Sequence, residues 1–244
     1  MAAWRINAWS SPRNISTALM YSFAQRPDTV VVDEPLYAHY LSHTSSGTIH
    51  PGRENILASQ SSDGKVVVQK VLQGEYESPI VFFKQMTHHL IDIDRAFLDQ
   101  MENIVLIRDP RLILHSYSKV IDNPGMQDIG IEMQYALFRE LQAKGRQPAV
   151  VDANELLKNP EKVLQELCRE LLIPWFPEML KWKKGQRPED GVWAPYWYEN
   201  VHQSTGFQPF KERQFELNEN LKPLAIQAEK YYSFLFDFAI KADN

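Results

Sequence analysis

Cysteine is almost absent from this sequence, with Cys168 as the single example among 244 residues. An internal disulfide is therefore excluded, and the leucines around Cys168 predict a core thiol. No apolar run reaches the length that a membrane-spanning helix needs, and the first residues contain no long apolar stretch. We therefore expect a cytoplasmic protein that has no membrane partner.

The sequence also contains fewer basic than acidic residues. Lys and Arg number 26 against 31 Asp and Glu, so the formal net charge is −5 at pH 7. Domains that bind nucleic acid carry a basic excess, so the composition argues against a nucleic-acid partner. The length and the 44% hydrophobic content predict a single globular domain over residues 1–244.

The sequence lacks the G-x-x-x-x-G-K-[ST] loop that cradles phosphates in NTP-hydrolysing enzymes. Nor does any predicted strand end in an obvious pair of acids for Mg²⁺. Both absences count against a kinase or another NTP-dependent enzyme, and we expect no metal cofactor.

An anion-binding loop is predicted near the start of the chain. The segment RINAWSSPRNISTALMYSF indicates a short strand, a tight polar loop and then an amphipathic helix. Ser16 and Thr17 fall in the first helical turn, where unpaired backbone N–H groups and the helix dipole favour a phosphate or sulfate. Arg13 adds a full charge and a forked donor. The alternative is a surface loop with an ordinary helix cap.

A second segment, ENIVLIRDPRLILHSYSKVI, favours the anion site. Its apolar run is typical of a buried parallel strand, after which Arg108 stands at the carboxyl end. Asp109 can cap the next helix, which carries Ser116. Ligands of open α/β sheets bind beyond the carboxyl ends of the strands. We expect an α/β fold of three layers, α/β/α, with a central and mostly parallel sheet; an ion pair of Arg108 with Asp109 or Asp33 is the alternative.

Together these motifs resemble the sulfotransferase family that uses 3′-phosphoadenosine 5′-phosphosulfate (PAPS). Members carry a Pro-Lys/Arg-x-x-Ser/Thr-Thr loop, an Arg followed eight residues later by Ser, and a late Lys-Gly loop that runs towards a Trp. The corresponding residues here are Pro12-Arg13-Asn14-Ile15-Ser16-Thr17, Arg108 with Ser116, and Lys183-Lys184-Gly185 followed by Asp190-Gly191-Val192-Trp193.

The resemblance implies a sulfotransferase that moves the sulfuryl group of PAPS to a hydroxyl or amine of a small-molecule acceptor. It assigns the first loop to the 5′-phosphosulfate, the Arg–Ser pair to the 3′-phosphate and the late loop to closure over the nucleotide. Two departures affect the first loop: Arg13 replaces the Lys that is usual in the cytosolic branch, and Asn14-Ile15 replaces Ser-Gly. A nucleotide-binding protein without transfer activity is the alternative of the same fold.

Sulfuryl transfer also needs a general base for the acceptor proton. TVVVD, residues 29–33, predicts the second strand, and Glu34 follows it directly. Several family members that act on carbohydrates, lipids or protein tyrosines use a Glu after this strand, so the resemblance favours Glu34. The alternative for Glu34 is an ion pair with Arg13 or Arg108.

A rival base follows the third predicted strand, Pro79–Phe83. Cytosolic family members carry Lys-Thr-His there, and this chain has KQMTHH, so Lys84 becomes a further contact to the sulfuryl group and His88 competes with His89 as the base. Structural histidines on a helix are the alternative. A metal held by His88 and Asp92 on one helix face is another, although no third ligand has convincing spacing.

The remaining segments frame this site. Residues 36–64 are polar and weakly periodic, which predicts an extended insertion that serves as an acceptor lid or as a plain solvated loop. The aromatic segment 183–210 predicts a region that closes the site, walls an acceptor pocket or joins the core. It resembles sulfotransferase-like proteins that are in some cases fused to aminotransferase domains, a subgroup with no defined acceptor. We further expect helices over Lys65–Leu72 and Asn218–Ile240. A homo-oligomer is compatible with the sequence.

Overall fold

A parallel sheet of six strands forms the centre of the fold. The computed structural model describes residues 3–44, 50–118, 124–212 and 215–243. Within them the strand order is β2-β3-β1-β4-β5-β6, with β1 (Trp4–Ser10), β2 (Thr29–Asp33), β3 (Ile80–Met86), β4 (Glu102–Ile107), β5 (Ala149–Asp152) and β6 (Ala239–Ile240). The predicted α/β class is confirmed, since helices flank this sheet.

Helices connect the strands along the chain. They are α1 (Ser16–Phe23), α2 (Tyr37–His43), α3 (Arg53–Ser59), α4 (Gly64–Val67), α5 (Pro110–Tyr117), α6 (Met126–Ile129), α7 (Ile131–Ala143), α8 (Ala153–Lys158), α9 (Pro160–Glu170), α10 (Ala194–Trp197), α11 (Glu199–His202) and α12 (Lys222–Phe236). Short 3₁₀ or π turns cover Val68–Leu72, Thr87–His89, Ala96–Gln100, Pro177–Leu180 and Glu219–Leu221.

The chain divides into two compact units, of which the first comprises Met1–Ala8, Ser16–Asn103 and Glu178–Gly206. Strands β2 and β3 pair in parallel here, with Asp33 opposite Lys84. Every residue of β3 is buried, as expected for a strand covered on both faces. An apolar cluster in this unit joins α2 and α3 to the late aromatic segment. Its buried residues are Tyr37, Ala38, Leu41, Ile56, Trp193, Ala194 and Tyr198.

The second unit comprises Trp9–Ile15, Ile104–Pro177 and Phe207–Asn244. Strand β5 pairs in parallel with β4 on one side and with β6 on the other. Its core packs α5, α7 and α12 against these strands through Val105, Ile107, Ile113, Leu114, Phe138, Val150, Ala228 and Leu235. Cys168 is buried on α9, as predicted.

Residues 36–64 contain two helices that the sequence pattern did not reveal. Leu41 on α2 and Ile56 on α3 are both fully buried, so these helices dock by a few apolar side chains within a polar segment. Tyr37 and Tyr40 add to this packing and have their rings against that of His50, so part of the buried face is not strongly apolar and hydrophobic periodicity is weak. Residues 45–49 lie outside the described residues.

Two predicted boundaries were wrong. Strand β3 continues three residues beyond Phe83, so Lys84 lies inside the strand and not at its end. Partner carboxylates make a buried lysine tolerable there. The helix expected over Asn218–Ile240 ends at Phe236, and Ala239–Ile240 pair with β5 instead. The helix expected over Lys65–Leu72 is present as α4 and the π turn after it.

Candidate functional site

The loop after β1 brings three of the predicted anion-binding residues together in the second unit. Arg13 has a left-handed backbone conformation, with φ of 59°. Its Nε donates a hydrogen bond to Ser116 Oγ at 3.0 Å, and Arg108 Nη1 donates to the Arg13 carbonyl oxygen. Arg108 directly follows β4, and Ser116 lies in α5, whose N-terminus is capped by Asp109. Two guanidinium groups and a hydroxyl therefore converge on one short loop.

Side chains within the second unit hold this loop in shape. Asn14 Nδ2 donates to the Leu106 carbonyl oxygen at 2.9 Å, and Asn14 Oδ1 accepts from the Ile15 N–H at 2.8 Å. Gly130, with φ of 68°, leaves room beside Ser11, because a Cβ at Gly130 would come within 3.0 Å of Ser11 Cβ. The Asn14 amide thus braces the loop by one donated and one accepted hydrogen bond.

The rest of the loop offers hydrogen-bonding groups. The Ser11 hydroxyl is buried without a hydrogen-bond partner among the described residues, and Pro12 is half-buried beside it. Ser16 and Thr17 are the first two residues of α1, as predicted, and the free backbone N–H groups of a helix start belong to that turn. A buried hydroxyl without a partner, such as that of Ser11, is a group that a bound anion could satisfy.

A buried ion cluster at the ends of β2 and β3 dominates the first unit. Lys84 Nζ donates to Asp33 Oδ1 at 2.9 Å, to Glu34 Oε1, and to the Tyr198 hydroxyl at 2.8 Å. The Tyr198 hydroxyl in turn donates to Asp33 Oδ2 at 2.7 Å. We call these four residues the Lys84 cluster. All three ammonium protons are engaged, so Lys84 would reach a sulfuryl group only by giving up one of these bonds.

The backbone fixes Glu34 in an uncommon conformation. Its φ is 37°, in the left-handed region that a residue with a Cβ rarely adopts. The Glu34 N–H donates to the Lys84 carbonyl oxygen at 2.9 Å, and the Glu34 carbonyl accepts from the Tyr37 N–H and from Gln60 Nε2. Strain of this kind persists only where the surroundings impose it, and it concentrates at functional sites.

Burial and charge act in opposite directions on this cluster. Burial raises the pKa of Glu34, while the Lys84 ammonium lowers it. Burial also disfavours the charge of Lys84, but the Asp33 and Glu34 carboxylates hold its pKa well above the ordinary value. The alternative considered for Glu34 was an ion pair with Arg13 or Arg108, but its ion-pair partner is Lys84. The result is a carboxylate of increased proton affinity beside a fixed cation.

His89 adjoins Glu34, His88 packs against His89, and both histidines favour the neutral form. His89 is fully buried between the rings of Tyr37 and Tyr40, with centroids 5.0 and 4.8 Å away. Neither of its ring nitrogens has a hydrogen-bond partner in the described part of the chain, and Nε2 lies 3.9 Å from Glu34 Oε2. Burial lowers the pKa of His88 to about 4 and that of His89 well below its ordinary value.

The late basic loop also belongs to the first unit. Lys183 and Lys184 are exposed, and Gly185, with φ of 115°, donates its N–H to the His202 carbonyl oxygen at 2.8 Å. Asp190 anchors the loop, since its carboxylate accepts from the Tyr21 hydroxyl at 2.6 Å and from the Arg187 N–H at 2.9 Å. The basic residues therefore stand on a loop that is fixed at one acidic residue.

The aromatic segment divides between core and surface. Trp193 and Tyr198 are buried, whereas Tyr196 and Trp197 are among the exposed large hydrophobic residues. Trp193 Nε1 donates to the Tyr198 hydroxyl at 3.0 Å. Sequence reasoning missed the link from Tyr198 to Asp33, because 165 positions separate them and no local pattern pairs them.

The described residues contain neither the metal site considered above nor a membrane-spanning helix. The short helix after β3 ends at His89, and Asp92 has φ of 45°, so His88 and Asp92 do not share a helix face as the metal alternative required. No group of three His, Cys, Asp or Glu side chains that could hold a metal ion occurs within residues 3–44, 50–118, 124–212 and 215–243. In those same ranges no helix combines the length and apolar character needed to cross a membrane.

Comparison with known proteins gives consistent matches. A family model described as "Sulfotransferase domain" matches residues 4–219. Branched-chain-amino-acid aminotransferase-like proteins 1 and 2 of Arabidopsis thaliana are 43% identical over 208 residues and 39% identical over 227 residues. These matches cover 85% and 90% of this chain but 37% and 40% of the relatives, so the chain spans about two fifths of their length.

A solved structure shares the fold. The sulfotransferase domain from the Synechococcus PCC 7002 olefin synthase matches with a TM-score of 0.58 and 20% sequence identity, over 95% of each chain. At 20% sequence identity this similarity supports the fold alone. It agrees with the parallel sheet and flanking helices described above.

Proposed function

Because this chain belongs to the sulfotransferase domain family, we propose that it transfers a sulfuryl group from PAPS to a hydroxyl or amine of a small-molecule acceptor. The observation that carries this proposal is the convergence of Arg13, Arg108 and Ser116 on the loop after β1. Two fixed positive charges and a hydroxyl on one loop suit a ligand with several anionic oxygens.

Donor binding is assigned to this loop and to the start of α1. Arg13 Nε already contacts Ser116, and the Nη groups of Arg13 have no hydrogen bond within the described residues, so they remain available to a phosphosulfate oxygen. We assign Arg108 and Ser116 to the 3′-phosphate, and the backbone N–H groups of Ser16 and Thr17 to the 5′ end of the donor. For Lys183 and Lys184 we propose donor binding from the family resemblance of their loop, in which Gly185 has φ of 115°.

The transfer step is a displacement at sulfur. A bond forms between the acceptor oxygen or nitrogen and sulfur, the bond from sulfur to the bridging phosphosulfate oxygen breaks, and adenosine 3′,5′-bisphosphate (PAP) leaves. Arg13 and the helix-start amides stabilise the charge that grows on the leaving oxygen. Glu34 accepts the proton that the acceptor hydroxyl or amine gives up.

Glu34 suits the role of base better than the histidines do. A general base works best when its pKa lies near the working pH, and burial moves the pKa of Glu34 upward in that direction. Burial moves the pKa of His88 down to about 4, which makes its imidazole a weak proton acceptor at neutral pH. We therefore assign His88 and His89 to the surroundings of Glu34, and Lys84 to holding its carboxylate.

Calorimetric titration with PAP tests the donor site, with AMP and ATP–Mg²⁺ as controls. Tight binding of PAP with weak binding of AMP supports the 3′-phosphate site, and an acceptor screen with radiolabelled PAPS then tests transfer. Absence of PAP binding overturns the proposal. Binding of PAP without transfer to any acceptor class would favour a nucleotide-binding role, and a requirement for ATP–Mg²⁺ would favour a kinase.

A further inference from the structure

The Tyr198 hydroxyl is the meeting point of three buried polar groups in the first unit. It accepts hydrogen bonds from Lys84 Nζ at 2.8 Å and from Trp193 Nε1 at 3.0 Å, and it donates to Asp33 Oδ2 at 2.7 Å. A hydroxyl has one proton and two lone pairs, so all its capacity is used. All four residues are buried, which makes each of these bonds costly to lose.

We propose that Tyr198 is a positioning residue that keeps the Lys84 ammonium on Glu34, and thereby sets the proton affinity of the catalytic base. The proposal rests on the role given to Glu34 above. Tyr198 itself touches neither donor nor acceptor in this account, and it acts through Asp33 and Lys84.

The charge balance of the cluster explains the effect. Two buried carboxylates share one ammonium, so whichever carboxylate is less satisfied draws Lys84 towards itself. Asp33 Oδ2 accepts from the Tyr198 hydroxyl and from the Gly191 N–H at 3.1 Å. These two donors offset part of the Asp33 charge, so that the ammonium, which also contacts Asp33 Oδ1 at 2.9 Å, is less strongly drawn away from Glu34.

Groups from several elements face Glu34. Lys84 comes from β3 and His89 from the turn after it, Asp33 from β2, and Tyr37 from α2. His89 favours its neutral form, so Lys84 supplies the positive charge in this set. A change in where Lys84 points should therefore register directly in the titration of Glu34.

The same segment ties the base to the basic loop. Gly191, Trp193 and Tyr198 lie after Lys183–Gly185 in the same segment of the chain, and a Cβ at Gly191 would come within 2.1 Å of Trp193 Cζ2. This close packing seats the segment while its N–H and hydroxyl bind Asp33. Movement of the loop would consequently change the hydrogen bonding of the carboxylate pair.

Carboxyl ¹³C NMR of protein labelled at glutamate Cδ tests the proposal without donor or acceptor. The Glu34 signal is identified by its absence from Glu34→Gln, and its titration midpoint is compared in wild type, Tyr198→Phe and Asp33→Asn. Tyr231→Phe is the matched control, because it removes a hydroxyl that donates to Glu132 at 2.7 Å in the other unit.

Opposite shifts are expected from the two cluster variants. Tyr198→Phe raises the Glu34 midpoint by about one pH unit, since Asp33 draws Lys84 away, whereas Asp33→Asn lowers it, since Glu34 then holds the ammonium alone. Tyr231→Phe leaves the midpoint in place. An unchanged midpoint in folded Tyr198→Phe overturns the proposal.

The proposal can still be tested if Tyr198→Phe does not fold. Should Tyr198→Phe not fold, an unchanged or raised midpoint in Asp33→Asn overturns it. The proposed function has its own readout, which is the loss of transfer in Glu34→Gln, so failure of one is distinguishable from failure of the other.

Discussion

Asp33 and Lys84 occupy paired positions on the parallel strands β2 and β3, with Lys84 Nζ 2.9 Å from Asp33 Oδ1. Both side chains are almost completely buried, at 1% and 2% exposure. The strand register thus places an ammonium next to two successive carboxylates, Asp33 and Glu34, away from water. Such a cluster is costly to bury and depends on each of its members.

Removal of the Lys84 ammonium should destabilise the fold strongly. Lys84→Met would leave Asp33 and Glu34 as buried carboxylates without their cation, and the expected loss is about 3–5 kcal/mol in free energy of unfolding. Urea denaturation at pH 7 measures it. Lys158→Met, which breaks a partly exposed ion pair with Glu155, should cost no more than about 1 kcal/mol. Equal losses in both variants would contradict the prediction.

Acid should destabilise the protein through His88. Burial lowers the pKa of this imidazole from 6.5 to about 4 in the folded chain, so the unfolded chain binds the extra proton between those values. Stability therefore falls as pH decreases from 6.5 to about 4, by up to about 3 kcal/mol from this group. Denaturation midpoints at pH 7 and pH 4.5 should differ less in His88→Gln than in wild type. The same acid sensitivity in both proteins would contradict the assignment.

Loss of the Arg108 guanidinium should discriminate between nucleotides. Arg108→Ala should weaken PAP binding roughly 10- to 100-fold, because a charged hydrogen-bond donor to the 3′-phosphate is lost. Binding of AMP, which has no 3′-phosphate, should change little. Calorimetry with both ligands gives the ratio, and Arg108→Lys is the charge-conserving control, with an intermediate loss. Equal weakening for PAP and AMP would remove Arg108 from this role.

Neutralisation of Glu34 should separate binding from chemistry. Glu34→Gln should keep the affinity for PAP within a factor of about two and reduce transfer at least ~100-fold, since a general base contributes on that scale. Calorimetry gives the first value, and label transfer from PAPS, with the acceptor found by screening, gives the second. Retained transfer would move the base to His88 or His89, and Glu34→Asp would then behave like wild type.

Much of the sheet could be predicted from contiguous runs of residues. Thr29–Asp33 matches β2, and the apolar run before Arg108 lies in β4, because unbroken apolar segments bounded by polar residues indicate buried parallel strands. The Arg13, Arg108 and Ser116 cluster was also foreseeable, since motif spacing and the carboxyl ends of parallel strands bring such residues to one edge.

Contacts between distant segments could not be predicted in this way. The pairing of Lys84 with Glu34 depends on the register between β2 and β3, and the hydrogen bond from Tyr198 to Asp33 spans 165 positions. A lysine also interrupts the apolar pattern of β3, so the strand seemed to end early. The buried lysine is compensated by carboxylates from a distant part of the chain, and this tertiary contact outweighs the local sequence pattern that predicted the end of the strand.

The positive φ of Glu34 sets two selection pressures against each other. Glycine adopts this backbone conformation without strain, and asparagine does so more easily than glutamate. A library sorted for heat resistance alone should therefore accumulate Gly or Asn at position 34, whereas one sorted for turnover should retain Glu. A difference between the two libraries at position 34 would show that the carboxylate is kept there at a cost in folding free energy.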